Sequence, residues 1–296
     1  MRKMVCFGEI LWDVFPNQKK IGGAPLNVAS RLASFGNDVS MVSAIGADVW
    51  GEKLLQYLNE NHINTDHVQV LYKYKTGKVK VKLNQKEAAS YSIKHPRAWD
   101  KILLTDEAQK AVKDADAFVF GSLAARDDTS RNTLFNLIES AQYKICDLNL
   151  RPPHYNKDVL VYLMDKADFI KFNDDELYEI SEMMGSKYKS LEQNLHFMAE
   201  QTETKHICVT KGEHGAVLLY NDKLYYNSGY LIDVVDTVGA GDSFLASLIS
   251  QLLNNTEPQK AIDFACAVGA LVAGSEGANP KISDETISTF MHPGLH

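Results

Sequence analysis

From about residue 105 onward, short apolar runs take turns with longer segments whose apolar residues recur at helical spacing. AFVFG, YKICDLNL, DFIKF and HICVTKG each have the length and apolar density of a strand buried on both faces. TSRNTLFNLIESA, KDVLVYLMDKA and ELYEISEMM, which separate them, carry the helical repeat. This alternation restricts the chain to an α/β fold with a mostly parallel central sheet flanked by helices. At 296 residues, 45% of them hydrophobic, the chain can bury a large core. With no internal repeat or low-complexity linker, it reads as a single domain over 1–296.

The N-terminal part follows the same logic. MVCFGEILWDVF reads as a buried strand running into a loop. GGAPLNVASRLASFG reads as a closely packed helix, with Leu26, Ala29 and Ala33 on one side and Gly36 at its end. DVSMVSAIG reads as a short strand, and DVWGEKLLQYLNENHI as an amphipathic helix. Residues 69–93 differ: Val79, Val81 and Leu83 alternate with Lys78, Lys80 and Lys82, the pattern of a half-exposed antiparallel sheet, a flap on the main body. GAVLLYNDKLYYNSG predicts a hairpin turning at Asn221-Asp222, and two helices are expected near 240–254 and 258–274.

A formal charge of −7 gives no electrostatic footprint for nucleic acid. No stretch has the apolar length of a membrane span, and Glu9 and Asp13 interrupt what a signal peptide would need as its apolar core. The expected location is cytoplasmic. Cys6, Cys146, Cys208 and Cys266 are scattered without metal-site spacing and read as buried thiols, and the histidines form no ligand pair.

The segment that points to chemistry is DTVGAGDSF, 236–244. Gly239, Ala240 and Gly241 leave the backbone bare at a helix start, where N–H groups concentrate partial positive charge on an anion. Asp242 stands immediately behind them. It reads as a general base for an acceptor hydroxyl, or simply as a favourable first-turn acid beside a tight turn. Two other glycine motifs fail here. No segment supplies the G-x-x-x-x-G-K-[ST] of a P-loop, and GAGDSF puts the bulky Phe244 where a dinucleotide fingerprint needs Gly or Ala, although Asp263 lies near the distance of a ribose acid.

DTVGAGDSF resembles the C-terminal signature of the ribokinase-like (PfkB) carbohydrate kinases, and GGAPLNVASRLASFG at 22–36 resembles their N-terminal signature. The two stand in the family's order, and the likeness extends over essentially the whole chain. It implies a ribokinase-like α/β fold with a small antiparallel β lid, whose strands fall within 12–25 and 69–97. It also implies ATP-dependent phosphoryl transfer to a sugar hydroxyl, with Mg²⁺ and often K⁺. Carried over, Asp242 is the base, and the N–H groups of Gly239, Ala240 and Gly241 form the anion hole. The sugar falls to Asp13, Gly22, Gly23 and Asn27. Without the second signature, those glycines read equally as a flexible turn and Asn27 as a helix-surface amide.

The remaining assignments follow the same likeness. Asn173 and Glu176 in NDDE match an N-x-x-E element that organises Mg²⁺ through its waters, and they also spell a capping box. Asp147, Asn149 and Arg151 in DLNLR resemble the pattern of the fructokinase-like and ketodeoxygluconate-kinase-like branches. Period-two geometry puts all three on one face of a strand end. Arg151 then touches sugar or phosphate, or only pairs with Asp147. VTKGEHG resembles the nucleotide loop, with Thr210, Lys211, Gly212 and Gly215 toward ATP. Cys266, with Val268 and Val272, lines the adenine or is ordinary helix core. Asp236 and Val238, with Ser275 and Gly277, match K⁺ ligands. His95 and Arg97 end the lid beside the sugar, and such lids often pair two chains into a homodimer.

GGAPLNVA, with Ala24-Pro25 after the glycines, resembles the fructokinase form of the first signature. The expected reaction is therefore D-fructose to fructose 6-phosphate. Ribose, 2-keto-3-deoxygluconate or another sugar is the alternative acceptor. A non-catalytic sugar sensor and a nucleotide-dependent dehydrogenase are the rivals of other classes.

Overall fold

The computed structural model describes residues 1–83 and 89–293; the part of the lid interval 69–97 that covers 84–88 lies outside the described residues. Two compact units divide the chain, Met1–Gln142 and Tyr143–His296.

In chain order the first unit holds β1 (Lys3–Phe7), β2 (Leu11–Val14), β3 (Lys19–Gly22), α1 (Ala24–Ser34), β4 (Asp38–Gly46), α2 (Val49–Glu60), β5 (Ile63–Asn64), β6 (Val68–Leu71), β7 (Gly77–Leu83), β8 (Ala89–Ile93), α3 (Asp106–Lys113), β9 (Ala117–Gly121) and α4 (Asp128–Ser140). Strands β9, β1, β4 and β5 pair in parallel in that order. Met4, Val5, Cys6 and Phe7 of β1 are all buried, as expected of a strand covered on both faces. A separate small sheet is built from two antiparallel pairs, β3 with β2 and β7 with β8, joined by a parallel pairing of β2 with β7.

One boundary differs from the alternating pattern. The segment from 69, read as the start of the flap, belongs instead to β6, which pairs in parallel with Ser43–Gly46 of β4. The reason is length: β4 runs on beyond the short β5, which covers only Val39 and Ser40, and β6 fills the edge that remains. Behind β7 lies Trp99, fully buried; a Cβ on Gly77 would stand 2.7 Å from its ring. The Arg126 guanidinium stacks 4.1 Å from the centre of that ring and is ion-paired at 2.7 Å to the buried Asp100.

The second unit holds β10 (Lys144–Asp147), α5 (Lys157–Asp165), β11 (Phe169–Asn173), α6 (Asp174–Met183), α7 (Leu191–Thr202), β12 (His206–Thr210), β13 (Ala216–Tyr220), β14 (Lys223–Asn227), α8 (Ala240–Leu253), α9 (Pro258–Ala273) and α10 (Asp284–Met291). Strands β10, β11 and β12 are parallel, and β13 and β14 continue as an antiparallel hairpin. Its turn is Asn221-Asp222, both at positive φ (49° and 61°), the conformation that a two-residue hairpin requires. Helices α8 and α9 begin and end close to the expected limits. Gly269 of α9 lets that helix approach the start of α8: a Cβ there would lie 3.4 Å from the Ala240 carbonyl. All four cysteines are buried and free. No helix among the described residues is long and apolar enough to cross a membrane.

Candidate active site

The 236–244 segment folds as its composition demands. Gly239 is the N-cap of α8 at φ 79°, a left-handed conformation that favours glycine, and no side chain caps the helix. A Cβ at this position would stand 2.6 Å from the Cβ of Ala278, so the loop is closed down on its neighbour. The first-turn N–H groups at Ala240 and Gly241 are thus left to backbone and incoming partners, at the positive end of a 14-residue helix. Asp242 lies in that first turn and is 9% exposed.

A buried charged cluster from β10, β11 and α6 meets this turn through Lys171. Lys171, in the middle of β11, is 6% exposed; its Nζ donates to Asp147 Oδ1 at 2.9 Å. Parallel register sets Asp147 directly beside Lys171. A Cβ on Gly241 would lie 3.7 Å from Lys171 Nζ, so the ammonium stands against the first turn of α8. Burial pushes the Lys171 ammonium down. Asp147, Glu176 and, more weakly, Asp242 outweigh that and hold it above the ordinary lysine range. Lys171 was not singled out from the sequence. Its signal was there, a charge inside an apolar run buried on both faces.

Both carboxylate oxygens of Glu176 accept a backbone hydrogen bond. Its Oε1 accepts from the Leu150 N–H at 2.8 Å and its Oε2 from the Asn173 N–H at 2.9 Å. Asn173 Oδ1 accepts from the Glu176 N–H in return, which completes the capping box at the start of α6. Burial raises Glu176, opposed by Lys171 and by those two N–H groups, and helped by Asp147. Asp147 Oδ2 is buried without a hydrogen-bond partner. Among the described residues no three His, Cys, Asp or Glu side chains converge into a metal cage. Hard oxygen donors with one open acceptor and no cage fit Mg²⁺ that keeps its waters and arrives on a nucleotide's phosphates.

The DLNLR expectation needs correction. Strand β10 ends at Asp147, and Asn149 sits at φ 41°, so the period of two does not carry through to Arg151. The Leu148 N–H still bonds the Lys171 carbonyl, and the backbone then turns so that the Leu150 N–H bonds Glu176. Arg151 is half-buried and its Nη1 donates to the Leu150 carbonyl at 2.9 Å. The carboxylate of Asp147 is paired with Lys171 instead.

At the end of β12, Thr210 leads into a tight loop closed by the Lys211 N–H on the Gly215 carbonyl at 2.8 Å. Gly212 and Gly215 both take positive φ (57° and 76°), and a Cβ on Gly215 would strike the Asn227 carbonyl at 2.1 Å. Cys266 on α9 is 7% exposed, and burial raises its thiol to about 12, with Asp263 adding to that and Lys211 opposing it. The two segments read as K⁺ ligands meet. Asp236 Oδ1 accepts from the Val238 N–H at 3.1 Å and Oδ2 from the Gly277 N–H at 3.3 Å. Ser275 Oγ bonds back to the Leu271 carbonyl at 2.8 Å.

The first unit gathers the residues of the N-terminal signature. Asp13, on β2, lies so close to β3 that a Cβ on Gly22 would stand 2.1 Å from its Oδ2. Gly23 caps α1 at φ 114°, against the Glu9 carbonyl, and its own carbonyl accepts from the Asn27 N–H at 2.9 Å. Asn27 is buried at 3%, which removes the helix-surface alternative. Arg97 opens the 3-10 turn 98–101; its N–H donates to Asp100 at 2.7 Å and its Nε is buried without a partner. His95 is bonded to Asp127 at 2.9 Å.

The chain as a whole is similar to known proteins. The model of the pfkB family carbohydrate kinases matches residues 1–285. Fructokinase-2 of Zea mays is 27% identical over 94% of this chain and 90% of its own. Fructokinase of Salmonella typhimurium is 24% identical over 93% and 94%. In fold, the chain is similar to fructokinase from Vibrio cholerae O395 solved with fructose, ADP and calcium ion: TM-score 0.85, 22% identity, 98% and 99% covered. It is also similar to a sugar kinase from Pyrococcus horikoshii in complex with ATP: TM-score 0.82, 26% identity, 93% and 94% covered. The chain belongs to the pfkB family of carbohydrate kinases.

Proposed function

We propose that this carbohydrate kinase transfers the γ-phosphoryl group of ATP to D-fructose, giving fructose 6-phosphate and ADP. The observation that carries the chemistry is Asp242 in the first turn of α8, directly behind the uncapped Gly239–Gly241 backbone. The choice of fructose rests on the fructokinase relatives and on the Ala24-Pro25 form of the first signature.

Asp13, Gly22, Gly23 and Asn27 hold the sugar. A carboxylate and an amide can each engage paired hydroxyls, and the bare glycine backbone lets a ring come close. Arg97 adds a contact to the sugar, and Arg151 one to the sugar or the moving phosphoryl. Asp242 accepts the proton of the acceptor hydroxyl as its oxygen bonds to the γ-phosphorus. The bond from that phosphorus to the bridging oxygen breaks, and the electron pair leaves with ADP. The N–H groups of Gly239, Ala240 and Gly241 stabilise the charge on the phosphoryl oxygens during transfer. Thr210, Lys211, Gly212, Gly215 and Cys266 hold the nucleotide, and Asn173 and Glu176 orient the waters of its Mg²⁺. When bound, Mg²⁺ neutralises phosphate charge. Asp236, Val238, Ser275 and Gly277 would hold K⁺, whose charge would be set beside the loop before α8. A cytoplasmic homodimer paired through the small sheet completes the reading.

The test is ADP release from ATP and Mg²⁺ with fructose, ribose, glucose, mannose and 2-keto-3-deoxygluconate, with and without K⁺. A kcat/KM for fructose at least tenfold above the others is expected. A preference for another sugar refutes the choice of fructose and leaves the transfer chemistry standing.

A further inference from the structure

Lys171 stands at the wrong end of a helix for its charge. The N-terminus of α8 already carries partial positive charge, which favours anions and disfavours ammonium groups. Yet Lys171 Nζ reaches within 3.7 Å of where a Gly241 side chain would begin, from a position 94% buried by its 6% exposure. Bringing an ammonium that far out of water costs several kcal/mol unless its partners are well arranged. The arrangement here is deliberate in one direction and incomplete in the other. Asp147 Oδ1 takes the ammonium at 2.9 Å, whereas Asp147 Oδ2, equally buried, has no partner. A pair that only braced the fold would be better satisfied, or replaced by apolar side chains without loss. A partly positive helix end beside an ammonium that Asp147 holds in place, with one Asp147 oxygen left open, fits a phosphoryl group that comes with an O–H donor.

We propose that Lys171, oriented by Asp147, is a positioning residue for phosphoryl transfer, whose fixed positive charge beneath Gly241 extends the 239–241 anion hole and holds the first turn of α8 in register with the moving phosphoryl. The charge acts through the α8 backbone and Asp242, so it acts most when negative charge is greatest on the transferring group. The open oxygen of Asp147 receives an O–H donor that arrives with the substrates. This inference rests on the phosphoryl-transfer reading of the site and not on the identity of the sugar.

Lys171→Met leaves Asp147 buried without its cation and threatens folding. The decisive variant is therefore the double one, Lys171→Met with Asp147→Asn, which removes both charges at nearly constant volume. Two readouts are needed: kcat and KM for ATP and for fructose, and the affinity for MgADP with and without aluminium fluoride, a mimic of the phosphoryl in flight. The double variant is expected to melt close to wild type and to lose at least 30-fold in kcat, with both KM values within threefold. Its affinity for MgADP should be unchanged, while the tightening by fluoride seen in wild type falls at least tenfold. Wild-type kcat and wild-type fluoride tightening in the double variant overturn the proposal. A double variant that cannot fold overturns it too, since the pair would then be structural. A wild-type enzyme silent with fructose but tightened by fluoride refutes only the choice of sugar. No fluoride tightening in wild type refutes the transfer reading itself.

Discussion

Gly22→Ala tests the sugar side of the reading without touching the nucleotide side. Gly22 holds a backbone that any L residue adopts, so the substitution carries no strain of its own. The new methyl, however, would lie 2.1 Å from Asp13 Oδ2 and 3.1 Å from Asp13 Cγ. Ordinary contact needs about 3.5 Å, so the carboxylate must withdraw by about 1.4 Å. It is the terminal group of a side chain on β2, so the carboxylate rather than the backbone gives way. On the proposed reading, a withdrawal of that size breaks the hydrogen bonds that the carboxylate accepts from sugar hydroxyls, worth about 1.5–3 kcal/mol. The fall expected in kcat/KM for fructose is about 10- to 150-fold. Steady-state ADP release, with fructose and ATP varied in turn, separates the two substrates: the fructose KM rises while the ATP KM and Tm stay close to wild type. Asp13→Ala should lose a similar amount, and the two changes together little more than either alone, because they remove one interaction. An unchanged fructose kcat/KM in Gly22→Ala, or full additivity in the double variant, would refute the placing of Asp13 on the sugar.

Asp242→Asn should lose about 10²- to 10⁴-fold in turnover while calorimetry still finds ATP and sugar binding; wild-type turnover in that variant would remove Asp242 as the base. Gly239→Ala forces an L residue to φ 79° and puts its methyl 2.6 Å from Ala278 Cβ. Together these cost about 2–5 kcal/mol in thermal or urea unfolding, and an unchanged midpoint would show that the loop yields freely. For Asp127, burial pushes the carboxyl up, but hydrogen bonds from Lys101, the Thr129 N–H and His95 prevail and bring it down to about 2. A carboxyl lowered on folding lends stability that is complete above its unfolded value near pH 4, and that stability is lost as the pH falls through about 2. Asp127→Asn, which keeps an N-capping side chain on α4, should therefore trail wild type by about 2 kcal/mol near neutral pH, with the gap closing as pH falls from about 4 to about 2. A gap of equal size at both ends would mean that the loss is steric and not electrostatic.

The parts of the site that were legible in the sequence are those whose reason is local. Gly239 and Gly215 mark positive φ, and each now shows a neighbour that a side chain would strike. Asn173 and Glu176 spell a capping box, and both halves of it form. The alternation of strand and helix patterns likewise told of a parallel sheet, since each element's burial is written in its own spacing. Segment 68–71 misled because alternation alone does not say which edge a strand joins; the overhang of β4 past β5 decided that. DLNLR misled because the strand ends at Asp147: Asn149 takes a positive φ and the Leu150 N–H turns to Glu176 on α6, before the period of two can reach Arg151.

Lys171 shows where the boundary between the two kinds of information lies. A lysine between Ile170 and Phe172, in a strand covered on both faces, cannot be solvated, so its presence already demands an anionic partner. The sequence does not say which, because Asp147 is 24 residues away and meets it only through the parallel register of β10 and β11. Topology then narrows the choice. In a parallel sheet the residue beside Lys171 lies at the same height on a neighbouring strand, which offers Asp147 on one side and Cys208 on the other. Of these only Asp147 is an acid. A charged residue in an otherwise apolar parallel strand is thus a readable sign of a site once the strand order is known, and its partner follows from register rather than from any motif.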